Sequence, residues 1–158
     1  PDVFDEQFPN RANAFQFDTD TRNIFICADS KRLLSAFLEL LSNAAEADNS
    51  CGSIQIHSHV NACGHTVTVS VTGKGSLSEI NPSEMQTNPL IDADAPLTAQ
   101  LSTPFFSTKE NHAGLGLSIV AQVCHTHHAG FELYSRYGFT TAGITFPILA
   151  MDDMRNTI

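Results

Sequence analysis

The chain has 158 residues, 42% of them hydrophobic, and a formal net charge of −9 at pH 7. This length and apolar content predict one globular domain with a substantial core and argue against extensive disorder. The acidic balance argues against a nucleic-acid surface, which needs clustered lysine and arginine, and no apolar run approaches the length of a membrane span.

The two ends of the chain differ from its centre. Residues 1–14 are polar with scattered phenylalanines, so we expect a linker that follows an upstream domain. Residues 151–158 are expected to form a C-terminal tail. No signal peptide is visible. Because the chain begins with Pro1 rather than methionine, we expect an excised piece of a longer protein.

Four cysteines are present, and none of them forms a CxxC spacing with another: Cys27, Cys51, Cys63 and Cys124. This usage favours a reduced, cytoplasmic compartment, in which thiols act as small apolar residues. A membrane anchor elsewhere in the full-length protein is compatible with that expectation.

The first third of the chain predicts two short strands and one amphipathic helix. Residues 15–17 and 24–27 are separated by a polar turn and are expected to pair. Asp29 or Ser30 can cap a helix over roughly residues 31–47. The apolar residues of this helix recur at helical spacing, so they are expected to pack on a sheet: Leu33, Leu34, Phe37, Leu40, Leu41 and Ala44.

Two alternating strands follow, at residues 53–60 and 65–71, and the short link 61–64 predicts that they form a hairpin. One face of the second strand is apolar and comprises Val67, Val69 and Val71.

Residues 73–113 then lose periodicity and collect glycine, proline, serine, asparagine and aspartate. So long an irregular stretch inside a compact domain is usually functional and often forms a lid. A helix is predicted over residues 114–127, and a closing hairpin over residues 130–137 and 141–149. Together, these strands and helices predict an α/β protein with two helices on one face of a mixed sheet.

Two polar residues lie in the middle and the second half of the first predicted helix. Glu39 and Asn43 are four residues apart, so they lie on the same face of the helix. An amide oxygen is a suitable ligand for Mg²⁺, and a carboxylate can act as a general base. The alternative is an ordinary solvent-facing surface of an amphipathic helix.

The run Thr103-Pro-Phe-Phe-Ser-Thr-Lys109 precedes Gly114-Leu-Gly-Leu117, which opens the second predicted helix. Adjacent aromatic residues on a polar loop followed by a glycine-rich turn suggest a mobile segment next to a helix start. The N–H groups and the dipole of a helix start suit a phosphate chain. The alternative is a hydrophobic loop with an exposed lysine.

In this order and spacing, these pieces resemble the ATP-binding domain of sensor histidine kinases, within the wider GHKL ATPase class. The likeness covers nearly the whole chain. It implies a domain over residues 15–150 with the Bergerat-type fold, a two-layer α/β sandwich with a mixed sheet, helices on one face and a lid loop at about 73–113. Residues 1–14 would then link it to an upstream dimerisation domain.

The resemblance implies a role for each matching residue. Asn43 would hold Mg²⁺, Glu39 would be catalytic, Lys109 would reach the terminal phosphates, and Phe105 and Phe106 would anchor the lid. The implied nucleotide-binding residues are Asn43, Ala47, Gly73, Gly75, Phe105, Phe106, Thr108, Lys109, Gly114, Leu115, Gly116, Leu117 and Thr145.

Two positions depart from the family pattern. Val71 stands where Asp-x-Gly-x-Gly has the aspartate that accepts a hydrogen bond from the adenine amino group, and an alkyl group cannot accept one. His112 stands where the phosphate-binding box has its first glycine. Thr145 matches the threonine that works with that aspartate, so compensation from Thr145 stays open. Thr72 or Ser70 could also compensate if the strand bulges, although alternation places Ser70 on the other face.

The implied function is transfer of the γ-phosphate of ATP, with Mg²⁺, to a histidine on a separate dimerisation domain of the same protein, and from there to a response regulator. The chain itself lacks the acceptor helix. Neither nucleic acid nor direct membrane contact is expected for this segment. Two alternatives stay open: a degenerate docking or regulatory module of the same fold with weak or no ATP binding, and another GHKL ATPase such as a mismatch-repair or topoisomerase relative.

Overall fold

The structure is a computed structural model that describes residues 15–19, 24–47, 53–75 and 116–149. Five strands and two helices occur in these ranges, in the order β1 (Phe15–Thr19), α1 (Ser30–Ala47), β2 (Ile54–Val60), β3 (Thr66–Lys74), α2 (Gly116–Thr126), β4 (Gly130–Arg136) and β5 (Phe139–Pro147). The predicted bounds of α1, β2 and β4 are met within a residue or two.

The five strands form one sheet in the order β1-β2-β3-β5-β4. β1 runs parallel to β2, and the other three pairs are antiparallel. Both predicted hairpins, β2–β3 and β4–β5, are therefore confirmed. The turn of the second has positive φ at Tyr137 (54°) and Gly138 (78°), the backbone of a two-residue type I′ turn that matches the twist of a hairpin.

Both helices pack on the same face of this mixed sheet, which confirms the predicted two-layer α/β sandwich. The buried core draws on both helices and on three of the strands, β2, β3 and β5: Ala36, Leu40, Ala45, Ile54, Val67, Val71, Val120, Val123, Cys124, Ala142, Ile144 and Phe146. The other face of the sheet carries mainly polar side chains, including hydroxyl pairs such as Thr68 with Thr145.

The N-terminus of α1 is capped by Asp29 rather than by Ser30. The Oδ1 atom of Asp29 accepts hydrogen bonds from the N–H groups of Lys31 at 2.9 Å and Arg32 at 3.1 Å. These bonds satisfy donors that the first turn of a helix leaves without partners. They also lower the pKa of the Asp29 carboxyl, the bond from Arg32 being the largest cause.

One predicted strand is wrong. Residues 24–27 do not form a strand and do not pair with β1, which pairs with β2 instead. Ile24 and Ile26 pack against the core, which explains their alternation, but the backbone of the segment joins no ladder. A hydrogen bond from the Leu149 N–H to the Phe25 carbonyl, at 2.9 Å, ties it to the residues that follow β5.

Candidate functional site between the two helices

Glu39 and Asn43 meet the start of α2. A β-carbon placed on Gly116, the first residue of α2, would lie 2.6 Å from Oε2 of Glu39 and 3.7 Å from Nδ2 of Asn43. Both side chains are half-buried. The structure therefore brings together residues from two separate sequence motifs, with a carboxylate and an amide beside the positive end of a helix dipole.

Glycines at the end of β3 allow the strand to approach the last turn of α1. A β-carbon at Gly73 would lie 2.9 Å from Cβ of Ala44 and 3.2 Å from its carbonyl oxygen. Gly75 has φ of +141° and lies against Ala47 in the same way, at 3.2 Å from its Cβ. Since Ala44 follows Asn43 directly, this close packing fixes the position of the Asn43 backbone relative to the end of β3.

Val71 is buried among apolar groups. It is 2% exposed and lies opposite Ile56 on β2 and Ala142 on β5. Ile144, on the same face of β5, is fully buried. These four side chains are hydrocarbon, so this part of the sheet face that contacts the helices offers no side-chain hydrogen-bond acceptor.

The register of β3 with β5 is continuous from Thr66 opposite Pro147 to Lys74 opposite Phe139, so no bulge turns a neighbour toward the Val71 side. Thr72 lies on the other face, where its hydroxyl pairs with that of Thr141 at 2.8 Å.

Thr145 does not lie beside Val71, which corrects the prediction that the two positions act together. Its hydroxyl pairs with the hydroxyl of Thr68 at 2.8 Å. Thr68 is three residues from Val71, and side chains alternate between the faces of a strand, so Thr145 is on the side of the sheet away from the helices. The residue of β5 that faces the helices here is Ile144.

Of the remaining predicted site residues, Leu117 is half-buried and packs against the core, one residue into α2. Six others lie outside the described residues: Phe105, Phe106, Thr108, Lys109, Gly114 and Leu115. The same holds for His112 and for nearly all of the predicted lid.

The three described cysteines, Cys27, Cys63 and Cys124, are free. Cys124 is in the core, and burial raises the pKa of its thiol to about 11. Cys27 and Cys63 are exposed, so of these three cysteines only Cys124 behaves as the small apolar residue that the sequence predicted. Within the described ranges, no three His, Cys, Asp or Glu side chains are grouped so that they could hold a metal ion.

Comparison with known proteins identifies the family. Residues 28–150 match the model of the "Histidine kinase-, DNA gyrase B-, and HSP90-like ATPase" family. The chain belongs to this ATPase family. The matched range contains all of the site described above and extends from the α1 cap to beyond β5.

Curated relatives of this ATPase domain include sensor kinases. The chain is 32% identical to the sensory histidine kinase/phosphatase NtrB of Rhizobium leguminosarum over 127 residues, covering 77% of the chain and 32% of that protein. It is 28% identical to NtrB of Rhodobacter capsulatus, covering 76% of the chain and 33% of that protein. The chain thus spans about a third of the length of these relatives.

Solved structures share the fold. The catalytic domain of the histidine kinase ThkA superposes with a TM-score of 0.68 at 26% identity, over 92% of this chain and 85% of that one. A mycobacterial sensor histidine kinase, MprB, superposes with a TM-score of 0.65 at 22% identity, over 95% and 93% of the two chains. The Bergerat-type arrangement of an ATPase domain is therefore confirmed. Neither described helix has the length and hydropathy needed to cross a bilayer.

Two contacts that support this ATPase site were missed by the sequence reasoning. His127, just after α2, accepts a hydrogen bond on Nε2 from the Asp29 N–H at 2.9 Å and donates from Nδ1 to the Val123 carbonyl at 2.7 Å, so it ties the end of α2 to the cap of α1. The β4–β5 turn also binds the backbone of Gly75. Neither contact carries a local sequence signal, since each depends on how distant elements pack.

Proposed function

We propose that this chain binds Mg·ATP between α1 and α2 and is the catalytic domain of a two-component sensor histidine kinase. Its action would be transfer of the γ-phosphate to a histidine on a dimerisation domain of the same protein. The observation that carries the proposal is the meeting of Glu39, Asn43 and Gly116 at one point between the helices. Membership of the ATPase family and the sensor-kinase relatives support the same reaction class.

The residues at this point fit the group they would hold. The Asn43 side chain carries a hard amide oxygen, and the half-buried Glu39 carboxylate lies one helical turn away. Bound Mg²⁺ would neutralise charge on the phosphates. Within the protein, Asn43 would hold and orient the metal, and Glu39 would accept a proton from the attacking group.

Gly116 and Leu117 begin α2, and the backbone there suits an anionic phosphate chain because of the helix dipole. A side chain at Gly116 would crowd the Glu39 carboxylate. Gly114, Leu115 and Thr108 would extend this phosphate site, Lys109 would add a positive charge, and Phe105 and Phe106 would cover the nucleotide. These six residues enter the proposal from the sequence alone.

The partners follow from the reaction. The chain would act on a histidine-bearing dimerisation domain and deliver phosphate to a response regulator in the cytoplasm. A structure of the kinase ThkA in complex with its response regulator superposes on this chain with a TM-score of 0.66 at 25% identity, and this likeness supports a partner of that class.

Calorimetric titration with Mg·ATP tests the proposal. Binding tighter than about 1 mM is expected. Asn43→Ala should weaken it about 10-fold or more, because a charge-assisted ligand contact is lost. Ser42→Ala is the matched control, since Ser42 is the adjacent residue on α1 and its hydroxyl donates to Glu46 at 2.9 Å, on another face of the helix. Wild-type affinity in Asn43→Ala would contradict the assignment of this site.

The apolar wall formed by Val71 and Ile144 favours a second candidate, a docking or regulatory module of the same fold with weak or no ATP binding. The same titration separates the two. If no binding is detected at several millimolar Mg·ATP, the docking or regulatory module replaces the kinase proposal.

A further inference from the structure

Gly75, directly after β3, is held at both of its backbone polar groups by the β4–β5 hairpin. Its N–H donates to the Gly138 carbonyl at 2.9 Å, and its own carbonyl accepts from Oγ1 of Thr140 at 3.0 Å. Gly75 is also the last described residue at the start of the predicted lid, about 73–113. The hairpin therefore fixes the point at which the chain leaves the sheet.

The contact to the carbonyl is the end of a short chain of hydroxyls. Oγ1 of Thr140 lies 2.7 Å from Oγ of Ser135. A carbonyl can only accept, so the single hydrogen of the Thr140 hydroxyl goes to Gly75 and Ser135 donates to Thr140. Both hydroxyl residues are half-buried, which gives each bond more weight than it would have in water.

This hydroxyl chain reaches the proposed nucleotide site through the backbone. Gly75 packs on Ala47, and Gly73 packs on Ala44, the residue after Asn43. The two glycine contacts form the seam between the end of β3 and the last turn of α1. Whatever holds Gly75 therefore also holds the helix turn that presents the Asn43 amide.

We propose that Thr140 is a positioning residue for nucleotide binding, acting through the Gly75 backbone with Ser135 as its donor. The inference rests on the proposed function, because it assigns Thr140 a part in binding Mg·ATP at that same site. Thr140 does not contact the reacting atoms in this account. Its effect is to keep the β3–α1 seam closed.

The chain offers a matched control. Thr141 is the next residue of β5, is also half-buried, and its hydroxyl pairs with Thr72 at 2.8 Å on the opposite face of the sheet. Replacing either threonine with valine removes one hydroxyl while keeping shape and strand preference. Thr140→Val loses the bonds to Gly75 and from Ser135, and Thr141→Val loses the bond with Thr72. Only Thr140→Val breaks the link to Gly75.

The first test is the dissociation constant for Mg·ATP, measured on the 158-residue chain and its variants well below their melting temperatures. Thr140→Val should raise it about 2- to 10-fold, the range expected for loss of the neutral hydrogen bond to the Gly75 carbonyl. Thr140→Ser and Thr141→Val should stay within about 2-fold of wild type. Wild-type affinity in Thr140→Val, or an equal loss in Thr141→Val, overturns the inference.

The second test needs no nucleotide. Amide hydrogen exchange at Gly75 should be faster in Thr140→Val and unchanged in Thr141→Val, since only the first variant frees the strand end. Unchanged exchange in Thr140→Val overturns the inference. If the wild-type chain does not bind Mg·ATP but Gly75 exchange is faster in Thr140→Val, the proposed function is overturned. The hold of Thr140 on the Gly75 backbone is then still supported.

Discussion

The carboxylate of Glu39 fills the space that a β-carbon on Gly116 would need, with Oε2 at 2.6 Å from that position. A residue near the middle of α1 thus dictates glycine at the first position of α2. The contact is made by the far end of a flexible side chain, so the requirement concerns where the carboxylate stands more than whether the protein folds.

Gly116→Ala tests this relationship. The added methyl should push the Glu39 carboxylate aside and lower the rate of phosphotransfer to a separately supplied dimerisation domain about 10- to 100-fold, since small misplacements of a catalytic group are costly. Stability should change little, because alanine suits a helix better than glycine. The rate is measured by transfer of labelled phosphate from ATP.

The control for that change is Gly130→Ala at the start of β4. A β-carbon there would lie 3.7 Å from Cβ of Thr145, an ordinary contact on the far side of the sheet. Its phosphotransfer rate should equal that of the wild type. Full activity in Gly116→Ala would rule out a positional role for Glu39.

Gly73→Ala should destabilise the fold itself. The new β-carbon would lie 2.9 Å from Cβ and 3.2 Å from the carbonyl of Ala44, and helix backbone cannot step aside as a side chain can. We expect a loss of about 1–3 kcal/mol in the free energy of unfolding, measured by urea denaturation.

Ala44→Gly provides the matched test of the same contact. Alone it should cost about 1 kcal/mol, because glycine weakens a helix interior. Combined with Gly73→Ala it removes the clash between the two β-carbons, so the double variant should be more stable than the sum of the two losses predicts. Simple additivity would show that the β3–α1 seam is looser than described.

Val71→Asp should lower the stability of the free protein and strengthen its recognition of the nucleotide. Val71 is 2% exposed, so an aspartate there buries a carboxylate without a partner and should lower the melting temperature of the free protein. An adenine amino group would supply a donor. Mg·ATP should therefore raise the melting temperature of Val71→Asp by more than it raises that of the wild type.

Val71→Ala is the control, because it loses packing without gaining an acceptor. Its increment with Mg·ATP should match the wild-type increment, although its starting melting temperature is lower. Mg·GTP, which lacks the amino group at that ring position, should not give the enlarged increment in Val71→Asp. Equal increments for both nucleotides would place the base away from Val71.

The α1 cap should make stability depend on pH in the acid range. The pKa of Asp29 is lowered from 3.8, chiefly by the hydrogen bond from the Arg32 N–H, so the native state favours the charged form. The stabilisation is therefore complete above the ordinary pKa and is lost as the pH falls through the lowered value. The ion pair of Asp29 with Arg32, at 3.8 Å and exposed, adds little.

Asp29→Ala should lower the melting temperature at pH 7, and its deficit relative to wild type should shrink as the pH falls below about 4. Asp29→Asn keeps an acceptor that does not titrate, so its cap should persist across the same range. Thermal melts from pH 7 downward check both variants. A constant deficit for Asp29→Ala would mean that the carboxylate charge contributes nothing to the cap.

Sequence reasoning predicted what is encoded locally. The four-residue spacing of Glu39 and Asn43 placed both on one face of α1, and strict alternation placed Val67 and Val71 in the core. It erred at residues 24–27 because alternating apolar residues pack on a core whether or not their backbone joins a sheet. Periodicity reports burial and says nothing about hydrogen-bond partners.

Register was the second limit. Thr145 was matched to a family position by its order along the chain, and this match assigned it to the wrong face of the sheet. An error of one residue in a strand is enough to move a side chain to the other face. Only the observed pairing of Thr68 with Thr145 settles the face. The hold of Thr140 on Gly75 was beyond prediction for the same reason, because it depends on how two hairpins meet.

The central strands β3 and β5 are neighbours in the sheet but belong to different hairpins. Residues 75–138, which include α2 and β4, separate them in sequence. Each hairpin can form from nearby segments, whereas joining them requires closure of a long loop, which is slow. Gly73 and Thr140 are opposite each other across that junction, so we expect them to meet only when the two hairpins join. A nascent chain that has not yet delivered β5 carries Glu39 and Asn43 without Thr140 to hold Gly75, so we expect the proposed nucleotide site to be complete only after β5 has docked.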